Sequence, residues 1–135
     1  MAALRDVAAE HVAGLERLAA AYLGDRDGIE VVGRDELAAR LKRGQVVVLD
    51  VRPAEEYNAG HIPGARPAPV GELRRHLRAL PKDAEVFAYC RGPYCVYADE
   101  AVRELTRHGF RARRLIDGFP EWQRAGLPVA AGDCA

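Results

Sequence analysis

Val86-Phe87-Ala88-Tyr89-Cys90-Arg91-Gly92-Pro93-Tyr94-Cys95-Val96 reads as an apolar strand, a tight loop and the opening of a helix. Val86 to Tyr89 is short and apolar and ends abruptly in a cysteine. Gly92 and Pro93 force a turn. From Cys95 onward Val96, Ala98, Ala101, Val102 and Leu105 recur at helical spacing. A cysteine between a strand end and a helix start faces the unpaired N–H groups and the positive dipole end of that helix. Such a setting lowers a thiol's pKa and favours the thiolate as nucleophile. The same N–H groups can hold an anion. One loop can therefore supply both a nucleophile and a cradle for negative charge.

Outward from this loop the text alternates between strand and helix. Ile29 to Val32 is a short apolar strand, and Arg34 to Lys42 a helix ending at Gly44. Val46 to Val51 is a continuous apolar run rich in β-branched residues, the mark of a strand buried on both faces. Pro53 to Tyr57 is a short helix with Pro in its first turn. Residues 66–70 are extended, because their prolines disfavour helix. Gly71 to Leu80 is helical, Glu85 to Tyr89 is the strand before the cysteine, and Tyr97 to His108 is the helix after it. Ala112 to Ile116 is the last strand and Phe119 to Arg124 the last helix. The alternation implies an α/β fold with a parallel sheet covered on both sides. Ligands bind such sheets at the carboxyl ends of the strands, where Cys90 lies.

Residues 3–23 carry a separate helical pattern. Leu4, Ala8, His11, Leu15, Leu18 and Tyr22 form an apolar stripe, and Gly24-Asp25-Arg26-Asp27-Gly28 breaks it. The chain divides accordingly into an N-terminal helix and linker, 1–28, and a domain, 29–135. The stripe packs either on the domain or on a second copy of itself, giving a homodimer; spacing alone does not choose.

The 135 residues suit one domain with an appendage. Twenty Lys and Arg balance twenty Asp and Glu, so net charge gives no reason to expect nucleic acid or an anionic membrane as partner. The arginine groups Arg74, Arg75, Arg78 and Arg111, Arg113, Arg114 read as solvated faces and loop ends. No apolar run approaches the ~20 residues of a membrane span, and no signal-peptide core is seen. The expected location is cytoplasmic. Three cysteines argue against a disulfide framework. No Cys/His set has zinc spacing, and neither metal nor cofactor is expected.

The core resembles a rhodanese domain. The resemblance rests on Asp50-Val51-Arg52, Glu55-Glu56-Tyr57, Gly60-His61-Ile62-Pro63-Gly64-Ala65 and Cys90. It continues through Leu115-Ile116-Asp117-Gly118-Phe119-Pro120-Glu121-Trp122 to Gly126-Leu127-Pro128-Val129. These motifs stand in the family's order and cover roughly residues 30–130. The resemblance implies a five-stranded parallel sheet flanked by helices, with the extra N-terminal helix outside it. It also implies a cysteine that accepts sulfane sulfur as a persulfide and passes it to a thiol or cyanide. The N-terminal helix and the wording Ala88 to Val96 are similar to the C-terminal portion of ArsR-type transcriptional regulators fused to a rhodanese domain. On that likeness residues 3–23 are the dimer helix and connector. DNA would be met only through a helix-turn-helix that this chain lacks.

On this resemblance Cys90 is the catalytic thiol. The segment Arg91, Gly92, Pro93, Tyr94, Cys95 and Val96 binds the sulfur donor, its N–H groups acting as fixed dipoles. Arg91 either binds an anionic donor such as thiosulfate or is a solvated loop charge. Cys95 either resolves a Cys90 persulfide into a disulfide, making the loop a sulfur or redox sensor, or fills the first helical turn. Tyr94 either walls the pocket or lies on the surface. Asp50 and Arg52 are expected as a buried pair supporting the loop. Glu56 is expected to accept a hydrogen bond from the turn around His61, itself a hydrogen-bonded strut. Asp117 is expected to border the pocket, and Trp122 to be core. No arginine closes the loop near Val96, which argues against phosphatase or arsenate reductase chemistry. The readings carried forward are a sulfurtransferase acting on a small sulfur donor and a thiol acceptor, a sensory module of low turnover, and an interaction domain with dead chemistry.

Overall fold

The computed structural model describes residues 29–44 and 46–132. The expected helix at 3–23, its linker, His11 and Cys134 lie outside the described residues. Five parallel strands form one sheet: β1 (Val31–Val32), β2 (Val46–Asp50), β3 (Arg66–Pro67), β4 (Glu85–Tyr89) and β5 (Arg111–Leu115), in the order β1-β5-β4-β2-β3. The helices between them are α1 (Arg34–Arg43), α2 (Ala54–Ala59), α3 (Leu73–His76), α4 (Val96–Arg107) and α5 (Phe119–Arg124). The expected α/β class, five-strand count and parallel sense are all found.

β4 is the middle strand. It pairs with β2 from Val46 opposite Glu85 to Asp50 opposite Tyr89, and with β5 from Glu85 opposite Arg111 to Ala88 opposite Arg114. Within these buried strands the side chains still alternate between faces. Val47, Leu49, Val51, Val86, Ala88 and Cys90 meet Leu73 and Leu77 around α3 and Ala98, Ala101 and Leu105 of α4. Val48, Phe87, Tyr89 and Leu115 meet Leu37 of α1 and Phe119 and Trp122 of α5. Cys90 continues the β4 alternation onto the α4 face. Strand parity alone aims its sulfur toward the N-terminus of that helix.

Three elements depart most from their expected bounds, the others by a residue or two at an end. The first strand shortens to Val31–Val32, and extended backbone within 66–70 pairs only at Arg66–Pro67. The expected single helix Gly71 to Leu80 divides into a 3-10 turn (Val70–Glu72), one α-helical turn (α3) and a second 3-10 turn (Leu77–Ala79). Leu80 is forced extended before Pro81, with φ −90° and ψ 135°. Pro69 restricts the other end, with φ −47° and ψ 138°. An antiparallel bridge joins His61 to Ala130, a pairing with no counterpart in the sequence pattern.

Trp122 is 1% exposed, and its indole N–H donates to the Pro128 carbonyl at 2.8 Å, tying the C-terminal segment to α5. Trp122→Ala is expected to lose about 3–5 kcal/mol of stability, measurable by urea denaturation.

Candidate active site

The loop from Cys90 to Cys95 leaves the carboxyl end of β4 and enters α4, with Cys95 as the N-cap residue. Cys90 is fully buried, its sulfur bonded to that of Cys95 across a Cα–Cα distance of 6.2 Å, ordinary for a disulfide. Bonding to the N-cap side chain places the Cys90 sulfur at the N-terminus of a 12-residue helix. This corrects one feature of the sequence reading. Cys90 is presented as an enclosed, oxidised sulfur, and nucleophilic chemistry requires that bond to be reduced first. Among the described residues the Arg91, Gly92 and Tyr94 N–H groups donate to no backbone carbonyl, so turn hydrogen bonds there do not consume these dipoles.

Below the loop lies a residue whose role the sequence reading missed. Arg114 of β5, grouped there with solvated arginines, is 0% exposed. Its guanidinium donates to the carbonyls of Gly92 (2.9 Å), Cys95 (3.0 Å) and Leu115 (3.0 Å), and pairs with the buried Asp99 carboxylate at 2.9 Å. One side chain thus fixes the middle and the far end of the loop and the first turn of α4. The usable signal was its position in β5, flanked by the buried Ala112 and Leu115. Asp99, fifteen residues away on a helix, gave no pattern to pair it with.

Beside the loop is a second buried network. The Arg52 guanidinium chelates the Asp50 carboxylate at 2.7–3.2 Å and donates to the Gly60 carbonyl at 2.6 Å. Tyr89 donates to Asp50 at 2.6 Å and accepts from the Ile62 N–H at 3.1 Å. Burial first, then the adjacent Asp50 charge, pushes the Tyr89 hydroxyl far above its usual pKa, so it stays a donor. Burial works against the Arg52 charge, but its hydrogen bonds to Asp50 and that carboxylate's charge leave its pKa raised. Arg52 also lies over the Phe119 ring at 4.5 Å. Asp50 and Arg52 thus form the buried pair the sequence suggested, set beside the loop.

The remaining candidates divide. Glu56 meets the turn before His61 only through its backbone carbonyl, which accepts from the Gly60 N–H at 3.2 Å. Its carboxylate meets Arg91 at 2.6 Å, because α2 turns that side chain toward the loop. The hydrogen bonds from Arg91 to Glu56 hold the guanidinium's pKa above its usual value, so the Arg91 charge is paired across the loop's edge. The His61 ring bonds the Tyr57 carbonyl at 2.9 Å and stacks on the Tyr57 ring at 3.8 Å, a strut. Asp117 faces Arg34 of α1 at 2.8 Å and does not line the cleft beside the loop. Tyr94 is 74% exposed and walls nothing. Pro93 lies within the loop, and Val96 opens α4.

Against the loop packs the turn before α5. The Phe119 N–H donates to the Cys90 carbonyl at 2.9 Å. A Cβ at Gly118 would run into the Arg91–Gly92 peptide, so only glycine permits this approach. Arg52, Glu56, Gly60, Arg91, Phe119 and Pro120 line most of an adjoining cleft of about 280 Å³.

A parallel α/β domain with a cysteine at the carboxyl end of its central strand, backed by a helix N-terminus, is an α/β protein of the cysteine-loop type. The Rhodanese-like domain model matches residues 33–125, and the chain belongs to the rhodanese-like family. It is 48% identical over 126 residues to the HTH-type transcriptional regulator Rv0324 of Mycobacterium tuberculosis, a match covering 93% of this chain and 55% of that protein. The chain therefore spans about half the length of that relative. It is 30% identical over 105 residues to a sulfurtransferase of Allochromatium vinosum, covering 76% of this chain and 96% of that one. The crystal structure of BH2092 from Bacillus halodurans superposes with a TM-score of 0.71 at 28% identity, covering 94% of this chain and 86% of the other.

Gly118→Ala is expected to destabilise by about 2–3 kcal/mol, because the colliding atoms are backbone and cannot rotate away. Thermal denaturation checks this, and wild-type stability in the variant would refute the close packing.

Proposed function

We propose that this domain is a sulfurtransferase in which reduced Cys90 carries sulfane sulfur as a persulfide. The observation that carries this is the position of the Cys90 sulfur, at the end of the central strand and at the N-terminus of α4. There the helix dipole and loop N–H groups favour the thiolate and then the persulfide anion. The thiolate attacks the outer sulfur of thiosulfate or another sulfane-sulfur donor. The donor's S–S bond breaks, and its electron pair leaves with sulfite or, for a persulfide donor, with a thiolate. Cyanide or an acceptor thiolate then takes the outer sulfur and returns the Cys90 thiolate. Arg91 to Val96 form the loop around the sulfur, while Arg114, Asp50, Arg52 and Tyr89 hold it in place.

The 48% identity to a transcriptional regulator that this chain spans only in part supports a setting inside an ArsR-type regulator. There the DNA-binding half would lie outside this chain, and residues 3–23 would serve as connector and dimer helix. A cytoplasmic setting fits chemistry that needs a reduced thiol. Among the described residues no helix is long and apolar enough to cross a membrane.

A second reading, sensing, is favoured by the Cys90–Cys95 bond. The Cys95 thiolate attacks the Cys90 Sγ of the persulfide. A new S–S bond forms, the outer sulfur departs as hydrosulfide, and a cellular thiol later reduces the loop.

Intact mass after sulfane-sulfur treatment of reduced wild type, Cys90→Ser and Cys95→Ser separates the readings. Transfer predicts one added sulfur in wild type and Cys95→Ser but not in Cys90→Ser. Sensing predicts that wild type loses two hydrogens while Cys95→Ser retains the added sulfur. No added sulfur and no lost hydrogens in wild type or Cys95→Ser would overturn both.

A further inference from the structure

A parallel sheet is normally covered on both faces, but among the described residues the β1 edge is covered on one face only. Val32 turns toward Leu37 of α1 and is 2% exposed. Ile29 packs against the core cluster on the α4 side, and strand alternation puts Val31 on that same face. There Val31 is 49% exposed. Ile116 extends the pairing of β5 with β1 by one residue, its N–H donating to the Val32 carbonyl at 2.9 Å. Leu115 faces α1 and α5, so alternation puts Ile116 on the α4 face too, where it is 46% exposed. Toward the amino ends of these strands, a cleft of about 320 Å³ lies between Val102 and Thr106 on the flank of α4 and Glu30, Phe110 and Ala112. Together these features make a groove between α4 and the β1 edge.

We propose that residues 15–23 of this same chain dock in that groove as a helix, turning to it the apolar stripe Leu15, Leu18, Ala19 and Tyr22. This docking goes beyond sulfur transfer and does not depend on it. The occupant follows from where the described chain begins. Ile29 and Glu30 belong to the groove itself, and only Gly24 to Gly28 separate them from the stripe. A linker of five residues reaches at most ~17 Å, so it keeps residues 15–23 beside the groove. Nine helical residues are ~13 Å long, and the strand from Arg111 to Ile116 is ~17 Å, so the lengths match. So short a tether gives an effective concentration on the order of millimolar, which a second copy in dilute solution does not reach. The earlier turns, from Leu4 to His11, stay available to a second copy. Val31 is the register partner of Arg114. A docked segment therefore abuts the strand residue whose guanidinium holds the Gly92 and Cys95 carbonyls, so the connector and the loop share one neighbour.

Hydrogen exchange of the whole chain, read by mass spectrometry on wild type, Val31→Glu and Leu18→Glu, tests this. A free helix of this length is marginal in water, so docking is expected to slow exchange over 15–23 in wild type. Either substitution sets a charge in the apolar contact and should speed that exchange by on the order of tenfold or more. Leu18→Glu lies outside the domain. It should also speed exchange at Val31, Val32 and Ile116 while leaving β2 and β4 unchanged. Protection in wild type should hold from ~1 to ~100 µM protein, because a tethered contact does not dissociate on dilution. Protection over 15–23 that is absent, that survives both substitutions, or that is lost on dilution, as docking from a second copy requires, would overturn the docking. Each of those results would leave sulfur transfer on Cys90 standing, since persulfide formation is read separately.

Discussion

Arg114 is the side chain on which the loop's geometry depends. Burying a guanidinium is costly unless its charge is matched and its donors are filled. Here Asp99 supplies the charge, and three carbonyls, from Gly92, Cys95 and Leu115, take three more of its donors. The arrangement forces those loop carbonyls inward onto the guanidinium. A chain segment with glycine and proline at its centre would otherwise sample many conformations. Removing Arg114 would take away the ion-pair partner of the buried Asp99 carboxylate and release the loop at Gly92 and Cys95.

A second constraint acts from the side. Asp50, at the end of β2, is held by Arg52 and receives the Tyr89 hydroxyl from the adjacent strand. Tyr89 immediately precedes Cys90, so this network fixes where β4 ends. The Gly118–Phe119 turn closes the third side through the Cys90 carbonyl and the Arg91–Gly92 peptide. Strands β2, β4 and β5 and the turn after β5 thus all converge on six residues. This explains why recognisable motifs scattered from Asp50 to Trp122 belong to one site.

Much of this was legible in the chain. The β-branched run at Val46 to Asp50 and the apolar run ending at Tyr89 announce buried parallel strands by composition. Helix α4 shows its face through Ala98, Ala101, Val102 and Leu105. What was hidden were pairings between distant side chains. Arg114 looked like one of three solvated arginines because no local period marks its partner. Glu56 and Arg91 lie 35 residues apart, so their ion pair had no signature, and the Gly118 contact depends on how two loops meet. Local pattern reports burial and element type, whereas the choice among charged partners is made only when the sheet brings strand ends together.

The packing around Cys90 also decides in which direction the site can grow. Arg114 forms a floor, the Gly118 turn a wall and β4 the root, and all three are backbone-bonded or fully buried. Tyr94 stands in water, and the cleft lined by Arg52, Glu56 and Arg91 opens beside the loop. An extra atom on the sulfur therefore has to be accommodated away from floor, wall and root, on the sides that molecules from solution can reach.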